Sequence, residues 1–107
     1  MISTHVLDTA RGGPAAGVAV TLSRRDAKGA WSEVASAVTD ADGRVKEFSA
    51  APIESGEYRL AFDTKAYFEG AAFYPEVSIV FTVTDRTAHH HVPLLVAPFG
   101  YSTYRGI

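Results

Sequence analysis

Side chains alternate with a period of two along most of this chain, and this constrains its fold more than any other feature. The clearest run places Val77, Ile79, Phe81 and Val83 at every second position. Successive side chains of a β-strand point to opposite faces of the sheet, so such a run indicates a strand with one buried face. The chain is therefore predicted to consist mainly of strands.

Other short runs with the same period predict further strands near 3–8, 18–22, 31–36, 44–48, 58–62, 89–96 and 101–105. In the run 31–36, Trp31, Glu33 and Ala35 are expected to share one face. Gly12-Gly13-Pro14 and the segment 40–43 are turn signals between these runs. Seven or eight short strands at this spacing predict an antiparallel sandwich. The segment 63–70 breaks the rhythm, and its capping Asp63 and closing Gly70 predict a short helix.

Composition excludes several classes of function. The 107 residues suit a single domain over 1–107, and 47% hydrophobic residues can supply its core. A net charge of −2 gives no electrostatic basis for binding nucleic acid. No apolar run approaches the roughly 20 residues of a membrane helix. Cysteine is absent and residues 1–10 lack the pattern of a signal peptide, so we expect a cytoplasmic protein that does not bind membranes.

Three consecutive histidines precede an apolar strand, and their spacing points to acid/base chemistry. His89 and His91 are predicted to share one face of the strand, with His90 on the other. Imidazole exchanges protons near neutral pH, so a pair of them is a plausible acid/base site. A zinc site formed with His5 is the alternative, but no cysteine and no obvious carboxylate accompanies these histidines, so no metal is predicted.

Two distant motifs resemble the transthyretin-like family. The first is His5-Val-Leu-Asp8 followed by Gly12-Gly13-Pro14, and the second runs from His91-Val-Pro-Leu-Leu through Pro98-Phe-Gly-Tyr-Ser-Thr-Tyr-Arg-Gly106. Within the family the chain is most similar to the 5-hydroxyisourate hydrolases. The resemblance implies a transthyretin-like antiparallel β-sandwich of two four-stranded sheets with one short helix. It also implies a homotetramer with its active sites in a channel between subunits.

The resemblance also implies an activity and its residues. The expected reaction is ring-opening hydrolysis of a cyclic amide in 5-hydroxyisourate to 2-oxo-4-hydroxy-4-carboxy-5-ureidoimidazoline, a small-molecule substrate, with no cofactor. His5, Arg44 and His91 match catalytic positions of the family. His5, Arg44, Tyr104 and Ile107 are expected to contact the substrate. A guanidinium offers a fixed fork of donors to carbonyl and oxyanion groups, and its charge should keep nearby imidazoles partly neutral.

Three positions depart from the family pattern. His90 stands where Tyr is usual, Val96-Ala97 where Leu-Ser is usual, and Ile107 where the hydrolases end in Ser. The alternative function is that of a non-catalytic, transthyretin-like binding protein. His5 disfavours it, because the transthyretin branch of the family has lysine at the matching position. A purely structural subunit is a third possibility. Tyr101 and Thr103 are expected to serve strand and interface packing. No Gly-x-Ser-x-Gly motif is present, which disfavours a covalent serine mechanism.

Overall fold

A computed structural model describes residues 1–49 and 52–107, and this part of the chain forms nine strands and one helix. In chain order they are β1 (Ile2–Asp8), β2 (Gly13–Pro14), β3 (Ala19–Arg25), β4 (Trp31–Val38), β5 (Arg44–Val45), β6 (Gly56–Phe62), α1 (Thr64–Tyr67), β7 (Val77–Val83), β8 (His90–Ala97) and β9 (Gly100–Thr103). The predicted all-β fold with one short helix is confirmed.

The strands form two sheets. One has the order β4-β3-β6-β7, and all its pairs are antiparallel. The other has the order β2-β1-β8-β9, and β5 also pairs with β1. The prediction of two four-stranded sheets is therefore right for one sheet and one strand short for the other. β2 and β5 are both two residues long, so they share one edge of β1, with β2 at its carboxyl end and β5 at its middle.

The pairing of β1 with β8 is parallel, so this pair departs from the antiparallel arrangement predicted for the sandwich. Antiparallel neighbours are commonly joined by a tight hairpin, whereas parallel neighbours need a long crossover. Here the crossover is most of the molecule, since β1 and β8 lie at opposite ends of the sequence. This pairing brings the two sequence motifs side by side.

The hydrophobic core lies between the two sheets. Fully buried side chains reach it from both sides, among them Val6 and Leu94 from one sheet and Leu22 and Leu60 from the other. Because faces alternate along a strand, the odd-numbered residues of β1 and β8 point to the outer face of their sheet. The prediction for the histidine run follows this rule: His90 is buried and His89 is exposed.

The predicted helix is present but shorter than 63–70. Asp63 caps it by accepting a hydrogen bond from the backbone N–H of Ala66 at 3.1 Å, and the helix ends after one turn. Glu69 and Gly70 then adopt positive φ values of 54° and 87°, which a right-handed helix does not allow. No helix within the two described ranges is long and apolar enough to cross a membrane.

Candidate active site

Strand register assembles a group of polar side chains on the outer face of the five-stranded sheet. In the parallel pairing of β1 with β8, Ser3 lies opposite His91. In the antiparallel pairing of β1 with β5, His5 lies opposite Arg44. Ser3 and His5 are two residues apart and therefore share a face. Residues from three separate parts of the chain thus meet at one place.

A glycine turn places Arg44 at the start of β5. Gly43 has a φ of 75°, and a Cβ atom there would lie 2.4 Å from the carbonyl oxygen of Val6, so the close approach to β1 requires glycine. The Asp40 carboxylate accepts hydrogen bonds from the backbone N–H groups of Asp42 and Arg44. The bond from Arg44 contributes most to holding the pKa of Asp40 below its usual value. The turn is thus fixed on both sides of Gly43.

A cavity of about 260 Å³ opens on this face, and we call it the Arg44 pocket. Its lining comes from all three segments and from the end of the chain. It includes the polar or charged side chains of Ser3, Arg44, Lys46, His89 and His91 and the apolar side chain of Ile107. None of its described lining residues has an acidic side chain. Two cationic side chains beside two imidazoles favour a substrate rich in carbonyl oxygens or carrying negative charge.

His91 is the imidazole best suited to act as a base in this pocket. Burial, the neighbouring His89, the charge of Arg44 and then His5 lower its pKa below the ordinary value of 6.5. Among these causes, the charge of Arg44 acts in the expected direction. At neutral pH the ring is held in its neutral form, which has a lone pair available to accept a proton.

A buried hydroxyl group connects two of the histidines. The Ser3 Oγ atom lies 2.7 Å from Nε2 of His89 and 2.8 Å from Nδ1 of His91. A serine hydroxyl has one proton, so it donates to one of these nitrogens and accepts an N–H from the other. Within residues 1–49 and 52–107, Nε2 of His91 has no hydrogen-bond partner, which leaves that atom free to meet a substrate or water.

His5 lies beside the pocket, although it does not line it. Its Nε2 atom is 2.9 Å from the carbonyl oxygen of Asp42. A carbonyl oxygen only accepts hydrogen bonds, so Nε2 of His5 carries the proton and Nδ1 is left for other partners. The structure therefore brings Arg44, His91 and Ile107 together, with His5 at the edge and near enough for its charge to affect His91.

The carboxyl-terminal segment lies directly against His91. The Gly106 N–H donates to the carbonyl oxygen of His91 at 2.8 Å. A Cβ atom on Gly106 would lie 2.4 Å from Cδ2 of the His91 ring, so only glycine allows this approach. Tyr104, which is expected to contact the substrate, lines a neighbouring and mostly apolar cavity of about 270 Å³ together with His90 and His91.

Sequence reasoning missed three residues of this site: Ser3, Lys46 and Gly106. Ser3 had a usable signal, since it precedes His5 by two positions and must share its face. Lys46 had a similar signal from its spacing to Arg44. Gly106 had none, because its role depends on a tertiary contact. In the described part of the chain, no three His, Asp or Glu side chains are arranged to hold a metal ion.

Comparisons with known proteins bear on the family and the fold of this chain. The model of the HIUase/Transthyretin family matches residues 2–106. The 5-hydroxyisourate hydrolase of Mus musculus is 44% identical over 98% of this chain and 93% of its own length. The structure of Klebsiella pneumoniae 5-hydroxyisourate hydrolase has a TM-score of 0.87 and 43% identity, covering 99% of this chain and 98% of that one. Sea bream transthyretin in complex with thyroxine has a TM-score of 0.91 at 32% identity, covering 99% and 94%.

Proposed function

This chain belongs to the HIUase/Transthyretin family, and we propose that it hydrolyses 5-hydroxyisourate, opening a cyclic amide to give 2-oxo-4-hydroxy-4-carboxy-5-ureidoimidazoline. The relatives from Mus musculus and Klebsiella pneumoniae carry the name of this hydrolase. The observation that carries the proposal is the Arg44 pocket, in which a neutral imidazole and a guanidinium share one cavity. Amide hydrolysis needs a base for water and a cation for the developing oxyanion.

We assign the base to His91 and charge stabilisation to Arg44. Nε2 of His91 takes a proton from water as the water oxygen attacks the carbonyl carbon. Negative charge then builds on the carbonyl oxygen, where the guanidinium of Arg44 donates hydrogen bonds to it. Lys46 lines the same cavity and adds positive charge to it.

We assign proton delivery to His5. The departing nitrogen must gain a proton as the carbon–nitrogen bond breaks. A protonated His5 donates from Nδ1, since its Nε2–H is held by the Asp42 carbonyl. After donation the ring is left as the neutral tautomer that this hydrogen bond favours. Ile107 and Tyr104 are proposed to contact the substrate from the end of the chain.

The test is a direct assay of the purified protein with freshly generated 5-hydroxyisourate. We expect turnover well above the spontaneous rate. The variant His91→Asn should lower kcat by about 10²-fold or more, the usual scale for losing a general base. His90→Asn is the matched control, since His90 points to the other face and lies outside the Arg44 pocket. A wild-type protein that does not accelerate the reaction would refute the function.

The second candidate is a binding protein without catalysis. The likeness to a transthyretin that was solved with thyroxine is the observation that favours it. Against it, two histidines, a serine, an arginine and a lysine line the Arg44 pocket, which suits proton transfer better than storage of an apolar ligand. Thyroxine binding at micromolar concentration together with no hydrolysis would favour this candidate.

We further propose that the protein is a homotetramer that works in the cytoplasm. Exposed aromatic side chains support self-association: Tyr74 contacts both Phe73 and Tyr101 edge to face, with ring centroids 4.9 and 5.4 Å away. Contiguous exposed apolar groups commonly mark interfaces. Light scattering during size-exclusion chromatography measures the assembly, and Tyr101→Glu should shift it toward smaller species. Cell fractionation tests the location.

A further inference from the structure

We propose that Ser3 and His89 form a proton relay that carries the proton collected by His91 to the solvent-exposed ring of His89, from which it is released to water. The inference rests on the proposed hydrolase function and adds to it a route for the proton that the base must release. Its structural basis is the Ser3 hydroxyl, which lies 2.7 Å from one imidazole and 2.8 Å from the other.

The position of Ser3 suits a relay. The residue is 4% exposed, and it sits on β1 directly opposite His91 on β8. A buried hydroxyl needs hydrogen-bond partners, and both partners here are titratable rings. His89, at the far end, is exposed to solvent. His89 also lines the Arg44 pocket, so the three groups form a path from the His91 ring to a solvent-exposed ring of the same cavity.

The transfer balances atom by atom. At the start, His91 donates its Nδ1–H to Ser3 Oγ, and Ser3 donates its hydroxyl proton to Nε2 of His89. His91 then accepts a proton from water at Nε2. Its Nδ1 proton moves to Oγ, and the Oγ proton moves to Nε2 of His89. His91 and Ser3 finish neutral, with both hydrogen bonds reversed, and His89 finishes as the cation.

The charges around the two rings favour this direction. His91 faces His5 on β1, Arg44 on β5, Lys46 immediately after β5, and His89 on its own segment. Burial, His89, Arg44 and His5 lower the pKa of His91, so a proton does not rest there. Solvent around His89 stabilises the positive charge and gives the proton an exit.

Ser3 and His89 have a simpler alternative role, in which they only orient His91. The variants Ser3→Ala and His89→Gln separate the two roles. Alanine removes the bridge. Glutamine keeps a side chain that hydrogen-bonds Ser3 but cannot accept a proton. A relay predicts that each variant lowers kcat by about 10-fold with little change in KM, and that the double variant is no worse than either.

Two further measurements sharpen the test. Added imidazole should restore part of the activity of His89→Gln, since that end of the relay is open to solvent, and it should not restore Ser3→Ala. Ser36→Ala is the control, because Ser36 is an exposed strand residue outside the pocket, and its kcat should match the wild type. Wild-type kcat in His89→Gln would overturn the relay.

The relay is also measurable without the substrate. Nitrogen-15 NMR of the imidazoles reports which ring nitrogen carries the proton, and Ser3→Ala should change the signals of both His89 and His91. Unchanged signals would overturn the hydrogen-bonded bridge. A wild type that does not hydrolyse 5-hydroxyisourate would overturn the proposed function instead, and the NMR result would still decide the bridge.

Discussion

Gly106 should tolerate alanine poorly, because the end of the chain packs directly on the His91 ring. A Cβ atom on Gly106 would lie 2.4 Å from Cδ2, 3.1 Å from Cγ and 3.3 Å from Cβ of His91. Ordinary contacts begin near 3.4 Å, so the ring or the tail must move by about 1 Å. Either movement alters the Arg44 pocket, since His91 and Ile107 both line it.

The size of the effect follows from this displacement. Moving a reacting group by about 1 Å costs about 10²-fold in rate, so we expect kcat of Gly106→Ala to fall by that factor. If the tail moves away, the hydrogen bond from Gly106 to the His91 carbonyl is lost, at about 1 kcal/mol. For a domain of this size that lowers Tm by about 4–8 °C. The predicted signature is a large loss of activity with a modest loss of stability.

The assay is kcat on 5-hydroxyisourate together with Tm from calorimetry. Gly100→Ala is the matched control, because a Cβ atom at Gly100 meets no atom within 4 Å and its φ is not positive. We expect Gly100→Ala to keep the wild-type kcat. The reasoning is refuted if Gly106→Ala is also within twofold of the wild type. A large decrease in Tm that accompanies the decrease in kcat would show that the contact serves folding and not the site.

Two further predictions concern positions where this chain departs from its family. Ile107 lines the Arg44 pocket with a side chain that cannot hydrogen-bond. Ile107→Ser should therefore raise kcat/KM about 3- to 10-fold, as expected for one added neutral hydrogen bond. An unchanged kcat/KM in the same assay would show that this side chain is dispensable. Burial lowers the pKa of His90 below its usual 6.5. The charges of Arg105 and the amino terminus lower this pKa further, whereas the hydrogen bond to the Ala88 carbonyl raises it. As the pH falls below about 6.5, the unfolded chain therefore binds a proton at His90 before the folded chain does. The free energy of unfolding should decrease as a result. In His90→Tyr, the free energy of unfolding measured by urea denaturation should decrease less between about pH 7 and pH 5 than in the wild type. An equal decrease in both proteins would contradict the assignment to His90.

The strands were the part of the fold that the sequence predicted best. A strand buried on one face has an apolar side chain at every second position, and this pattern is visible in the sequence. The alternating residues of β7 and the opposite facing of His89 and His90 follow from that rule alone. It fails in β4, where an irregularity between Leu22 and Ser23 of β3 shifts the pairing and interrupts the expected shared face of Trp31 and Ala35. Bulges of this kind depend on the neighbouring strand, so one segment does not reveal them.

The site was accessible only in part. His5, Arg44 and His91 were identified from motifs, whereas the Ser3 bridge depends on the parallel register of β1 and β8, which no local pattern encodes. The contact of Gly106 with His91 is likewise tertiary. The orientation of the His5 ring toward Asp42 was equally hidden, since strand alternation fixes a face and not a side-chain rotamer.

The parallel pairing of β1 with β8 also means that β1 cannot pair with β8 until late in synthesis. Ser3 and His91 are 88 residues apart, so a ribosome that adds 5–20 residues per second makes β1 wait roughly 4–18 s for its partner. During that time only the two-residue strands β2 and β5 can pair with β1, both on the edge away from β8. The opposite edge remains open to other chains on the same messenger RNA. Slow codons between those for β1 and β8 lengthen this wait and should therefore lower the soluble yield.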